Sequence, residues 1–210
     1  MGIGVMVLGE SGTGKSCSLR NFKKDELSVI NVDGKPFPFR NEFDKVAKTD
    51  NAPKIIELMA KTTSKVIVID DAQYIMANEY MRRAYEKGYE KYSQIGTSFF
   101  NIVESVKMLP DDTIVYFLMH TEETNTGSVK AKTIGKMLDS TITLEGKFSI
   151  VLRTSVQEGK YCFSTQNSGN DTVKSPLGMF DAPLIENDLK KVDTAIRAYY
   201  GLKEKKEESK

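Results

Sequence analysis

The stretch VLGESGTGKS, Val7 to Ser16, leaves few architectures open. Gly9, four residues, then Gly14-Lys15-Ser16 is the G-x-x-x-x-G-K-[ST] spacing of a phosphate-binding loop, which works only between a buried strand and a helix. The apolar run Ile3 to Leu8 supplies the strand, and Ser16 to Phe22 is expected to be helical. Gly9, Gly12 and Gly14 permit backbone angles and a close approach that a Cβ would block. The amides of Gly9, Glu10, Ser11, Gly12, Thr13, Gly14, Lys15, Ser16 and Cys17 are therefore expected to turn around phosphate oxygens. Lys15 should reach the β- and γ-phosphates, and the Ser16 hydroxyl should take one Mg²⁺ position. The alternative is a glycine-rich turn that binds nothing, and the flanking strand and helix argue against it.

A second stretch answers the first. KVIVIDDAQ, Lys65 to Gln73, is four consecutive β-branched residues closed by two carboxylates. Such an unbroken run suits a central parallel strand buried on both faces, whose carboxyl end opens onto the crevice where ligands sit. Asp70 is thereby placed to bind Mg²⁺ directly or through water, and Asp71 to orient an attacking water. Strand-like and helix-like segments alternate elsewhere: Ser28 to Val32 as a strand, a helix capped by Asn51 with Pro53 in its first turn, and Thr113 to His120 as a buried strand. The fold class expected is α/β, a central mostly parallel sheet flanked by helices, extended by a hairpin of Ile142 to Arg153 and Tyr161 to Gln166. Asn187 is expected to cap a last helix with Leu189, Val192 and Ile196 inward. Residues 1–201 are read as one domain and 202–210 as a charged, disordered tail.

Composition narrows the function classes. With 30 basic and 29 acidic residues the net charge is +1, so nucleic acid would have to be held by a local patch or by repetition in an oligomer. No apolar run approaches the ~18 residues of a membrane span, so no membrane partner is expected. The N-terminal apolar segment lacks a basic flank and runs straight into the loop, which points to a cytoplasmic protein. Cys17 and Cys162 lack metal-ligand spacing, and one histidine excludes a histidine-rich metal site.

Three segments carry further candidates. YIMANEYMRRAYEKGYEKYSQIG reads as helix, with Tyr85 and Tyr89 on one face among Arg82, Arg83, Lys87 and Lys91. Those tyrosines either stack on single-stranded nucleic acid or cover the core or a neighbouring subunit. His120, at a strand end beside the expected γ-phosphate, is either a sensor of hydrolysis or a structural residue. TEETNTGSVKAKTIGKML after it is expected to be a mobile loop whose Lys130, Lys132 and Lys136 contact single-stranded DNA or bridge to a neighbour.

Taken together, the two motifs and the later segments FLMH, KTIGKMLD, GKYCFSTQ and VKSPLGMF make residues 2 to 200 resemble the compact RecA-like P-loop ATPases encoded by bacteriophages, including the Sak-type single-strand annealing ATPases. The resemblance implies ATP and Mg²⁺ as cofactors and hydrolysis coupled to DNA recombination, annealing or replication. It also implies a homo-oligomer in which a basic residue of one protomer completes a neighbour's site, with Arg153, Lys160 and Lys174 as candidates. RecA-like enzymes carry a glutamate at the end of the second strand, where this chain has Asp33, so Asp71 and Asp33 both stand as the catalytic carboxylate. Lys15, Asp71 and His120 are the catalytic set implied.

Other classes stay open. A small-molecule phosphotransferase would use the same loop, but no arginine-dense lid segment follows the third strand. No Asn-Lys-x-Asp motif supports guanine recognition, and only one helix is expected after the last strands, too few for a helical lid domain. A nucleotide-dependent interaction module with negligible turnover is the non-enzyme alternative.

Overall fold

The computed structural model describes residues 1–202; the expected tail from Lys203 lies outside the described residues. Its frame is a mixed sheet with the strand order β3-β2-β4-β5-β1-β7-β8-β9. The strands are β1 (Ile3–Gly9), β2 (Ser28–Asn31), β3 (Val46–Lys48), β4 (Val66–Asp70), β5 (Ile114–Glu123), β6 (Val129–Ala131), β7 (Ile150–Gln157), β8 (Lys160–Ser164) and β9 (Leu184–Glu186). All pairs from β3 through β7 are parallel, while β8 and β9 continue antiparallel and β6 folds back on β5. The helices are α1 (Ala52–Lys61), α2 (Gln73–Arg82), α3 (Glu90–Ser105) and α4 (Leu189–Tyr200).

Period-two alternation on strands buried on both faces divides the core in two. Met6, Leu8, Ile67, Ile69, Phe117 and Met119 face α1, α2 and α3, whereas Val5, Val7, Val66, Val68, Tyr116 and Leu118 face the opposite layer with α4. Tyr116 donates its hydroxyl to Asp193 at 2.9 Å, and Arg197 binds Asp193 at 2.6 Å and the carbonyls of Lys65 and Asp112. This network clamps α4 to the sheet end opposite the crevice. Asn51 caps α1 by accepting from the Lys54 amide at 2.9 Å, as its spacing predicts.

Several local expectations are corrected. The helix after the glycine loop is a single 3₁₀ turn, Ser16–Leu19. Ser-Cys-Ser is a weak helix former, and Arg20 and Asn21 are drawn to the Asn187 carbonyl and the Asp188 carboxylate. The long tyrosine-rich helix breaks in two: Gly88 takes a left-handed φ of 94°, and Lys91 donates to the carbonyls of Arg83, Ala84 and Glu86. Tyr85 and Tyr89 therefore sit in the connection, 99% and 89% exposed, and do not share a helix face. Residues 121–131, expected to be a mobile loop, are instead a hairpin, because the Thr, Ser and Gly that read as loop make its tight turn: Thr124 N donates to Ser128 O and Gly127 N to Thr124 O. Residues 142–149 precede β7 as turns, and the β7–β8 corner places Glu158 and Gly159 at positive φ as a two-residue hairpin requires. The α4 cap is Asp188 rather than Asn187, since it is the Asp188 carboxylate that accepts from Lys190 and Lys191 amides.

Candidate functional site

The parallel register brings the chemistry to one edge. Gly9 of β1 lies opposite His120 of β5, and Asn31 of β2 lies opposite Asp70 of β4, so four strand ends converge at the carboxyl side of the sheet. The cleft there, of about 290 Å³, is lined by Ser11, Gly12, Gly14, Lys15, Ser16, Cys17, Asp70, Asp71 and His120, together with Asn31, Lys35, Pro36, Pro38 and Tyr161.

Two glycines are needed for different reasons. A Cβ on Gly9 would collide with the hydroxyls of Thr154 and Thr13, which lie 2.6 Å from each other and brace the loop against β7. Gly14 has a φ of 97°, a left-handed conformation, and a Cβ there would stand 2.8 Å from the Tyr161 ring. Glu10 and Ser11 are exposed, Thr13 and Cys17 half-buried. Lys15 is buried and lies back over the loop, its Nζ donating to the carbonyls of Gly9 and Glu10 at 2.9 Å each. Burial lowers its pKa to about 8 against the raising effect of Asp71 and Asp70.

Ser16 Oγ donates to Asp70 Oδ1 at 2.9 Å, joining the glycine loop that follows β1 to the tip of β4 across the one intervening strand, β5. Asp70 is 6% exposed, and burial pushes its pKa up to about 6 despite the Ser16 bond. Among the described residues no group of three or more His, Cys, Asp or Glu forms a metal cage. One hydroxyl and one carboxylate at an open cleft fit Mg²⁺, which keeps waters and takes its remaining ligands from a substrate, better than they fit a closed cage.

Asp71 turns the chain sharply from β4 into α2 with a φ of 59°. Its carboxylate meets His120 Nε2 at 3.4 Å and Lys35 Nζ at 3.2 Å. Burial raises the Asp71 pKa, but His120 and Lys35 more than offset it and hold the group at about 2. Asp33, the rival carboxylate, is exposed; it pairs with Lys35 at 2.8 Å and does not line the cleft.

Lys35, Asn31, Gln73 and Tyr161 are site residues that the motifs did not single out. Asn31 accepts from Gly34 N and donates to Lys35 O, forming the turn that aims Lys35 at Asp71 and over the Tyr74 ring. β5 continues three residues past His120, where the sequence expects it to end, and Gln73 accepts from the His120 amide at 3.2 Å, fixing that point of the strand. The signal available for Lys35 was its place just beyond a parallel strand's carboxyl end, beside Asp33-Gly34.

The basic candidates lie elsewhere. Lys130 of β6 is paired with Glu122 at 3.3 Å and with Asp139, while Lys132 and Lys136 are exposed. Arg153 is half-buried, 3.8 Å from Asp171; Lys160 and Lys174 are exposed. Among the described residues no helix is long and apolar enough to cross a membrane. No protein-family model matches this sequence, and no curated protein matches it.

Proposed function

We propose that the chain is a Mg²⁺-dependent ATPase of the RecA-like P-loop kind, with ATP binding and turnover coupled to single-stranded DNA binding or to homo-oligomer assembly. The observation that carries this reading is the Ser16–Asp70 hydrogen bond, which puts the two oxygens suited to a hydrated Mg²⁺ directly beside a glycine loop holding a buried lysine. Bound Mg²⁺ would neutralise charge developing on the β- and γ-phosphate oxygens. Lys15 exchanges its two carbonyl acceptors for phosphate oxygens, a change in partner that needs only rotation of its side chain. Asp71, ionised throughout the neutral range, accepts a hydrogen bond from water and orients it. A carboxylate with a pKa near 2 is a poor proton acceptor, so its role is positioning. His120 fixes the Asp71 carboxylate, and Pro36 and Pro38 line the facing side of the cleft.

Lys130, Lys132 and Lys136 are the DNA contacts this reading takes, Lys132 and Lys136 being exposed on the chain that follows β6. One specific observation favours a second reading, a nucleotide-gated interaction module with negligible turnover: Lys35 and His120 both occupy the Asp71 carboxylate. Steady-state ATP hydrolysis with and without single-stranded DNA separates the two. The ATPase reading expects turnover that rises with DNA and disappears in Lys15→Ala; tight ATP binding with no turnover under either condition would favour the module.

A further inference from the structure

A second cleft of about 590 Å³ adjoins the first, lined by Cys17, Arg20, Lys160, Tyr161, Cys162, Glu186 and Asn187. Cys17 and Tyr161 belong to both clefts. A molecule with its phosphates in the glycine loop can therefore lay its remaining portion past Cys17 and along Tyr161. The second cleft is of the size that small ligands occupy.

Asn187 gives this cleft a reader. The residue is 1% exposed, yet neither its Nδ2 nor its Oδ1 has a hydrogen-bond partner among the described residues. Its backbone is fully committed: the amide donates to Tyr161 O at 3.2 Å, and the carbonyl accepts from Arg20 at 2.5 Å. The carboxamide lies against Gly14, where a Cβ would stand 3.2 Å from Oδ1 and 3.3 Å from Nδ2. A buried amide with four unused hydrogen-bonding positions is costly unless a ligand completes it. In the same wall Glu186 is held by Arg20 at 3.6 Å and Lys191 at 2.5 Å. Beside the amide, Tyr161 is 49% exposed and offers an aromatic face.

We infer that this cleft is the nucleobase subsite, with Tyr161 stacking on a purine and the Asn187 carboxamide selecting adenine. The inference rests on the phosphate-loop reading above and adds to it the residues that select the base. An amide presents one donor and one acceptor side by side, which matches the N7 acceptor and N6 amino donor of adenine, whereas guanine presents two acceptors on the same edge. Tyr161 swings slightly to admit the base, exposing the amide that it and Gly14 now cover.

The test is a calorimetric titration of the full chain with Mg²⁺-ATP, Mg²⁺-GTP and Mg²⁺-tripolyphosphate, for the wild type, Asn187→Ala, Asn187→Asp and Tyr161→Ala. The wild type should bind ATP at least tenfold more tightly than GTP. Both Asn187 variants should lose about tenfold or more in ATP affinity, while the tripolyphosphate affinity of the uncharged Asn187→Ala stays within twofold and certifies a folded loop. Tyr161→Ala should weaken both nucleotides and spare tripolyphosphate. Parallel loss of ATP and tripolyphosphate in Asn187→Ala would overturn the inference, making the amide a brace for Gly14. Unchanged ATP binding in the Asn187 variants, or GTP preferred by the wild type, would overturn it as well. Failure of the wild type to bind any of the three ligands is a different result, for it would overturn the phosphate-loop reading itself.

Discussion

Ser16 and Asp70, 54 positions apart in sequence, are joined by a 2.9 Å hydrogen bond that gives a buried carboxylate its side-chain partner. That bond ties the glycine loop to the β4 tip and leaves Asp70 undersolvated. With a folded pKa of about 6 against 3.8 for the free group, Asp70 favours folding below about pH 4 and loses that contribution as pH rises through 6.

Asp70→Asn should therefore stabilise the ligand-free protein at pH 7.5 by about 1–2 kcal/mol, part of the gain being cancelled by lost attraction to Lys15. For a chain of this size that is roughly 2–8 °C in melting temperature. The gain should vanish near pH 4, where Asp70 is already protonated. The same variant should lose Mg²⁺-dependent ATP binding. Thermal melts at the two pH values check the sign, and equal melting temperatures at pH 7.5 would mean that Asp70 is not held in the buried, poorly solvated state described.

Nucleotide affinity should follow a bell over pH. A bound polyanion favours charged Lys15, so affinity falls as pH rises above the free-state value of about 8; a bound metal favours ionised Asp70, so affinity falls as pH drops below about 6. Phosphate itself gains a proton near pH ~6. Comparison of the wild type with Asp70→Asn, titrated across this range, isolates the part of the acid limb that belongs to the protein.

Asp71→Asn should retain ATP binding within about threefold and lose turnover at least 100-fold, the pattern of a group acting on the transition state alone. Lys35→Ala removes a competitor for the same carboxylate and frees an oxygen to accept from the positioned water, so turnover should increase a few-fold while KM stays near the wild-type value. Initial-rate kinetics on both variants decide the matter. If Lys35→Ala abolishes turnover, Lys35 acts on the substrate and not as a restraint on Asp71.

Gly9→Ala should displace Thr154 and Thr13 and cost about 1–3 kcal/mol of stability, because the new methyl has no space among them. Gly12→Ala carries left-handed strain at φ 79° but meets no neighbouring atom, so it should cost about 1 kcal/mol. Urea unfolding of the two variants gives the order directly; a Gly9→Ala no worse than Gly12→Ala would contradict the packing described at the loop's base.

The parts legible in sequence are those fixed by short-range pattern. The Val66–Asp70 run announced a strand buried on both sides, the Gly9–Ser16 spacing announced the loop, and Asn51-Ala52-Pro53 announced a helix start. Pairing across the sheet was not legible, because nothing in the sequence of Val46–Lys48 or Leu184–Glu186 distinguishes a three-residue edge strand from loop. The tyrosine-rich helix was misread because its periodicity continues through Gly88, while the lysine that caps the break, Lys91, lies beyond it. Lys35 and Asn187 reach the site only through tertiary approach: one is aimed by the Asn31 turn, the other is held by Arg20 and the Tyr161 carbonyl.

Binding of ATP by the wild type and Lys15→Ala, each with Mg²⁺ and with chelator, tests the central claim most directly. One saturable site per chain is expected for the wild type, dependent on Mg²⁺ and weakened about 10- to 100-fold by the substitution, as loss of a charge-assisted contact implies. A wild type that never saturates, or a Lys15→Ala chain that binds equally well with the metal chelated, would contradict it.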